Sequence, residues 1–368
     1  TFAMALFAMG VVAAPVIGPI LGGWLTDSFS WRWIFLINLP LGVVAVLLIN
    51  IFIEDPPYMK KGVGSIDYIG FSLMAIGLGF LQLVLDKGQE VDWFQTTWLC
   101  WASALVVISL FAFVFWELRQ KSPIINLRIF KDRNFSVGMI VVLMVGLIIY
   151  GVNTRLTFYY QTVLNYSAYL GGLIIGPSGI GTMTAALMIG TVLAKVNEKT
   201  SFLLGLSCLA LANAMLTNIN LQVSHTSMVI PVLLNGVGLG LTFISVATMA
   251  VGTLDNKDVG NGTGLFNLMR NIGGSVGIAL SSTVIANMGQ VHQSHLASHL
   301  TIFDPVYQQV LLREGHSKDP LIYQELIRQA AVLSYIDCFT LFGMIAAGCM
   351  FTVFLFRPPR YKGTVMAH

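Results

Sequence analysis

The sequence predicts an all-α protein that crosses a membrane many times, and three observations carry that prediction. Apolar residues make up 56% of the 368 and charged residues only 10%, against about a quarter charged in an ordinary soluble domain. The apolar residues gather in runs close to the roughly 20 residues of helix that a hydrocarbon core of about 30 Å requires. The runs are too long and too weakly alternating for the strands of an outer-membrane barrel, which leaves a helical bundle.

Ten runs are expected, at 3–25, 33–53, 68–86, 97–117, 136–157, 168–193, 201–218, 228–251, 264–288 and 332–356. The first contains APVIGPILGG. Pro15 and Pro19 each delete a backbone hydrogen bond and bend the helix. Gly10, Ala14, Gly18 and Gly22 recur every four residues, a stripe of small side chains that lets another helix approach closely in lipid. After the second run comes EDPPYMKKGVGSID at 54–67, rich in Pro, Gly and charge and so a module boundary. The third and fourth runs form a hairpin turning through DKGQEVDWF, followed by the basic connection LRQKSPIINLRIFKDRN. Six more runs complete the chain. The long connection at 289–331 has turn signals at Asp304-Pro305 and Asp319-Pro320 and helical periodicity in PLIYQELIRQAAV; its length predicts structure of its own on the outer surface.

Lys60, Lys61, Arg119, Lys121, Arg128, Lys131, Arg133, Lys195, Lys199, Lys257, Arg357, Arg360 and Lys362 all fall in one set of connections. The alternate set holds Arg32, Lys87 and Arg155 in short loops and Arg313, Lys318 and Arg328 in the long one. Positive charge is retained in the cytoplasm, so the first set and the C-terminus are expected there. The net charge of +3 reflects this retention and gives no support to nucleic-acid binding. Cys100, Cys208, Cys338 and Cys349 stand singly, without metal-ligand or disulfide spacing, and read as small apolar fillers. Thr1 already stands at the mouth of an apolar run, so a further N-terminal part is expected to precede it.

The segment GPILGGWLTDSFSWRWIFLINLPLG at 18–42 resembles the antiporter signature and outer turn of the major facilitator superfamily, in its fourteen-helix drug:H+ antiporter branch of EmrB/QacA type. The Gly18-Pro19 pair, the Gly22-Gly23 pair and the run from Trp31 to Pro40 carry the match. It continues through LDKGQEVDWF, PIINLRIFKDRNF, YYQTVLNYSA and FNLMRNIGGSVG, and so covers essentially the whole chain. The resemblance implies a major facilitator fold in which the ten helices are numbers five to fourteen. Residues 1–53 would then end the N-terminal six-helix bundle, and 54–134 would be a linker with two extra transmembrane helices. The C-terminal bundle would occupy 135–356, including the periplasmic loop 289–331, and 357–368 would be a cytoplasmic tail. The resemblance further implies proton-coupled efflux of hydrophobic or amphiphilic compounds across the bacterial inner membrane by alternating access, with no cofactor and no enzymatic step. Expected partners are lipophilic substrates, protons and the bilayer. The long outer loop looks like that of EmrB-type permeases and adds a periplasmic membrane-fusion adaptor and an outer-membrane channel.

In that family the signature helix packs on the second bundle at the interface that seals the carrier. GGLIIGPSGIG at 171–181, with its own Gly176-Pro177 pair, is the expected partner of Gly10, Ala14, Pro15, Gly18, Pro19, Gly22 and Gly23. Ionisable groups within a bilayer are costly and default to functional candidates. Asn267, Arg270 and Asn271 fall at i, i+3 and i+4 on one helix, and the matching family positions also carry Asn and Arg; alternatively Arg270 snorkels to the inner surface or pairs with Asp255 or Asp258. Asn153, Arg155, Thr157, Tyr159, Tyr160 and Gln161 crowd one helix end, where rings and polar groups suit a cavity for flat lipophilic compounds or an interfacial aromatic belt. Arg155 departs from the family, where its position is usually apolar, and a cation there would repel cationic drugs.

No acid is expected deep in a helix; Asp27, Asp86, Glu117 and Asp337 are placed at helix ends, solvated or capping. The family's coupling acid lies in its first helix and its characteristic arginine in the fourth, outside this chain. His292, His295 and His299 share a face if their segment is helical and would bind metal, sense pH or simply be solvated. The runs GVGLGLT and GNGTGLFN follow no strand, which removes a dinucleotide reading. Two other readings stay open: a carrier of one metabolite or organic anion held by Arg155 and Arg270, and a membrane scaffold or sensor.

Overall fold

The computed structural model describes residues 17–52, 67–120, 123–191, 197–255, 258–300 and 319–357, all helix and short turns. Helix α1 occupies 17–28. It is followed by α2 (Trp33–Phe52), α3 (Tyr68–Lys87), α4 (Thr97–Arg119) and α5 (Arg133–Val163). The rest are α6 (Ala168–Thr191), α7 (Glu198–Leu216), α8 (His225–Val251), α9 (Val259–Ser298) and α10 (Asp319–Cys349). Among the described residues nine helices, α2 to α10, are long and apolar enough to cross a membrane, and they answer the expected runs from 33–53 onward. Gly10, Ala14 and Pro15 lie outside the described residues.

Helix starts are set by side chains that satisfy the orphan amides of a first turn. The Phe135 amide donates to Asp132 Oδ1 at 2.9 Å and the Lys199 amide to Asn197 Oδ1 at 3.1 Å. Helix α9 is 40 residues long, about 60 Å, twice a hydrocarbon core. Nothing in GQVHQSHLAS breaks it, because the segment is polar but contains no proline. The expected outer connection is therefore shorter than 289–331: residues 289–298 continue α9 and 319–331 begin α10. Asp337 consequently sits inside α10 rather than at a helix end, and its carboxylate meets His292 Nε2 at 2.6 Å.

Helices α5 to α10 share one apolar core, centred on α5, where Phe135, Val141 and Ile148 are fully buried. Helices α5 and α9 cross with Gly273 and Gly277 against the Leu143 and Leu147 carbonyls, where a Cβ would overlap backbone. Such close approach is the main source of helix cohesion in lipid, where dispersion replaces the hydrophobic effect. Helix α6 packs on α8, and α7 packs on α8 and α10. Cys338 and Cys349 are buried within this bundle and all four cysteines are free, as expected of fillers.

The hairpin of α3 and α4 has a small core of its own, Val84, Leu99, Ala102 and Val106, and rests against α9. Its ends near 67 and 119 are clamped. Asp67 accepts from the Gly70 amide at 2.9 Å and from the Trp116 indole at 2.9 Å. Glu117, expected to be solvated, is 3% exposed, and its two oxygens have no hydrogen-bond partner. Its carboxylate and that of Asp67 converge above Gly70, where only a residue without a Cβ leaves room.

Helix α5 changes character near its end: it is α-helical to Phe158 and makes a π-turn over Tyr159–Val163. Arg155 therefore lies inside a helix, two turns from its end, and not in a loop.

Candidate functional site

Three sets of residues meet the requirements of a carrier: a crossing between α1 and α6, a buried cation in α5 and a half-buried cation in α9. At the crossing, a Cβ on Gly23 would overlap the Ala168 carbonyl, and one on Gly172 would overlap the carbonyl of Pro19. Gly176 faces the Ile20 side chain, 3.1 Å from where its Cβ would stand, and Pro177 follows inside α6. The contact face thus runs through Pro19, Ile20 and Gly23. It differs from the expected stripe, because a Cβ on Gly18 or Gly22 meets no described atom within 4 Å. A four-residue spacing drifts slowly around a helix, and the face adjoining the stripe makes the contact.

Asp27 completes the crossing. Its carboxylate accepts from the amides of Tyr169 at 2.7 Å and Ala168 at 3.3 Å, so α1 caps the first turn of α6. The Tyr169 amide is the largest influence and holds the Asp27 carboxyl below its usual range; desolvation opposes it, and Ser167 and Ala168 add to the lowering. A carboxyl depressed in the folded state contributes stability that is complete above its ordinary pKa of about 3.9 and is lost as pH falls through the depressed value. Spin labels on α1 and α6 are therefore expected to keep one distance from pH 8 to 5 and to separate only below about pH 4. Asp27→Asn is expected to lengthen that distance already at pH 7, and an unchanged distance would show that the cap does not hold the crossing.

Arg155 is held between helices. Its Nε donates to Ser281 Oγ at 2.7 Å, one Nη donates to the Ile278 carbonyl at 3.2 Å and also to the Ser282 hydroxyl. Both serines lie on α9, so the cation bridges α5 and α9. Tyr159 and Tyr160 are fully buried inside the bundle rather than presented to a cavity. Tyr159 packs edge-on against Tyr335 and its hydroxyl donates to the Asn220 carbonyl; Tyr160 stacks on Tyr166. Gln161 is exposed and approaches Gly171 of α6. Asn153 is half-buried, and its carbonyl accepts from Thr157. The structure therefore divides the expected cavity wall: the tyrosines belong to the core and Arg155 to a helix bridge.

On α9 the expected polar face also divides. Arg270 lies about 16 Å along the helix from Val259, with its guanidinium 5.5 Å from the Phe243 ring centroid of α8 and its Nε without a partner. Asn271 is exposed and stands beside Gln82 and Leu85 of α3. Asn267, also exposed, donates back to the Thr263 carbonyl. Asp258, the expected counter-ion, accepts from Asn126 instead. His295 and His299 meet edge-on, and among the described residues no group of three His, Cys, Asp or Glu could hold a metal ion.

Sequence reasoning missed Asp27 as an interhelix cap, Gly172 as the tightest part of the α6 face, and Ser281-Ser282 as the acceptors of Arg155. The serine pair was the one available signal, adjacent hydroxyls in an apolar helix.

Comparison with known proteins decides the family. The sequence profile described as Major Facilitator Superfamily matches residues 1–278. The chain belongs to the major facilitator superfamily. Among curated relatives, the probable multidrug resistance protein EmrY of Escherichia coli is 31% identical over 83% of this chain and 60% of its own length. The fatty acid resistance protein FarB of Neisseria gonorrhoeae is 29% identical over 98% of this chain and 72% of its own. The multidrug export protein EmrB of Haemophilus influenzae is 28% identical over 97% and 71%. This major facilitator chain thus spans about 60% of the first of these relatives and about 70% of the other two. A crystal structure of a bacterial homolog of the human lysosomal transporter Spinster, inward-facing and unoccupied, shares the fold with a TM-score of 0.52 at 13% identity, over 96% of this chain and 71% of that one. The protein is an all-helical, multi-span transporter of the major facilitator type, not an enzyme.

Proposed function

We propose that the protein takes part in proton-coupled export of hydrophobic or amphiphilic toxic compounds across the bacterial inner membrane by alternating access. The observation that carries the reading is the α1–α6 crossing, where Gly23 and Gly172 bring two backbones into contact and Asp27 seals the end. Helix α1 carries the Gly-Pro antiporter signature, and α6 belongs to the bundle of α5 to α10. Such a contact suits a gate between two bundles that rock about a central site, because backbones packed without side chains close tightly and leave no path for protons. In this reading residues 1–53 end the N-terminal bundle, 54–134 form the linker with its two extra helices, and the C-terminus is cytoplasmic. The end of α9 beyond the membrane, with the start of α10, offers a surface for a periplasmic adaptor leading to an outer-membrane channel.

A second reading concerns substrate charge. Arg155 and Arg270 meet no carboxylate in the hydrogen bonds of the described residues, and the relative FarB is named for fatty acid resistance. Both favour an anionic amphiphile over a cationic dye. The test is flux in vesicles containing the full-length protein, with an imposed proton gradient, a lipophilic cationic dye and a long-chain fatty acid as alternative cargoes. Gradient-dependent export of either supports the transporter reading and the cargo decides charge; no gradient-dependent flux of any lipophilic compound would overturn it.

A further inference from the structure

We infer that the cleft between the α3–α4 hairpin and α9 holds one acyl chain of an anionic phospholipid from the leaflet at the basic end of the bundle. The cleft encloses about 490 Å³, within the roughly 300–1,000 Å³ of ligand pockets. Its walls are apolar: Leu78 and Leu81 from α3, Phe113 and Val114 from α4, Leu265 and Leu268 from α9. Nothing there can hydrogen-bond a polar ligand, so hydrocarbon is the chemistry that gains by entering. The lining extends along α9 from Leu265 to Ile272, about two turns or roughly 10 Å, most of the roughly 15 Å that one leaflet contributes to a core of about 30 Å. At the deep end it is stopped by polar groups: Ser275 donates to the Gln82 side chain, with Asn271 beside them.

The mouth supplies the charge. The connection between α4 and α5 crosses it as a 3₁₀ turn, Leu127–Lys131. With three residues per turn, positions i and i+3 eclipse, so Leu127 and Phe130 both line the cleft while Arg128 and Lys131 share the adjoining face, both exposed. Arg119 ends α4 nearby, exposed, with its guanidinium 3.7 Å from the centroid of the exposed Phe115 ring. Cations around the mouth of an apolar slot match a phosphate seated above its own acyl chain, and basic pockets on the cytoplasmic side select anionic lipids in this way. A zwitterionic lipid would bring its own cation into the same cluster.

The inference is independent of what the protein transports, because it concerns a resident lipid. Its test is to purify the full-length protein gently from membranes of known composition and to identify bound lipid by native mass spectrometry. Anionic phospholipid is expected at several-fold above its fraction in the membrane. The enrichment is expected to vanish in Arg128→Gln/Lys131→Gln, whose surface changes leave the helices intact, and in Leu268→Trp, which fills the slot. Three results would overturn the inference: equal retention of zwitterionic phospholipid, anionic enrichment that survives the double charge variant, or recovery of free fatty acid in place of phospholipid.

Discussion

Gly23→Leu and Gly172→Leu are each expected to lower transport by at least tenfold while the protein still inserts and folds. Both positions place a Cβ on backbone of the facing helix, so relief requires α1 and α6 to move apart as wholes. Interiors are too densely packed to absorb a leucine there by small adjustments. The damage is confined to one crossing, because α1 makes its described contacts with α6 alone while α5 to α10 keep their own core. Gly22→Leu is the matched control: it stands one residue away with free space around its Cβ, and it is expected to retain at least half of the flux. Flux and elution profile measured on the three variants decide the matter, and equal loss in Gly22→Leu and Gly23→Leu would remove the crossing from the gate.

Arg270→Ala is expected to separate stability from activity. A guanidinium near the middle of a membrane helix costs about 2.5–3.5 kcal/mol on insertion scales. Its contact with the Phe243 ring returns on the order of 0.5–2 kcal/mol, and its Nε has no partner. The balance is unfavourable, so removing the cation should leave the melting temperature unchanged or raise it. If Arg270 meets cargo or takes part in proton exchange, the same change lowers flux at least tenfold. A variant that loses stability and activity together would make Arg270 a structural residue. Phe243→Leu is expected to give a smaller loss of flux, since it removes the ring and leaves the charge.

The fold was legible because the code for it is one-dimensional. Apolar length located nine spans, and breakers and charge marked their ends. The superfamily was legible for a related reason, since GPILGGWLTD and WRWIFLINLP are local strings. The site was harder to read because its contacts are set by rotation of helices about their axes. The four-residue stripe of Gly10, Ala14, Gly18 and Gly22 pointed to close packing, yet Gly23, one residue on and about 100° around, makes the contact. Tyr159 and Tyr160 have the composition of a binding wall, and only three-dimensional placement turned them into core. Glu117 misled in the opposite sense: its position near a helix end suggested water, whereas Asp67 and Gly70 of the neighbouring helix enclose it. Residues 289–298 were taken for a loop because they are polar, although helices continue past a membrane as readily in polar sequence as in apolar.

The π-turn at Tyr159–Val163 bears on how this chain is to be compared with its relatives. Such a turn accommodates one residue more than an α-helical turn does, and it is the trace of a single-residue insertion into a helix. Upstream of it, a sequence without the insertion occupies the same spatial positions with numbers offset by one. Arg155, which departs from the residue type usual at its aligned position, lies just upstream. A gapless alignment across this helix therefore pairs Arg155 with a neighbour of its true counterpart, and a gap within 159–163 restores the correspondence on which any inheritance of substrate preference depends.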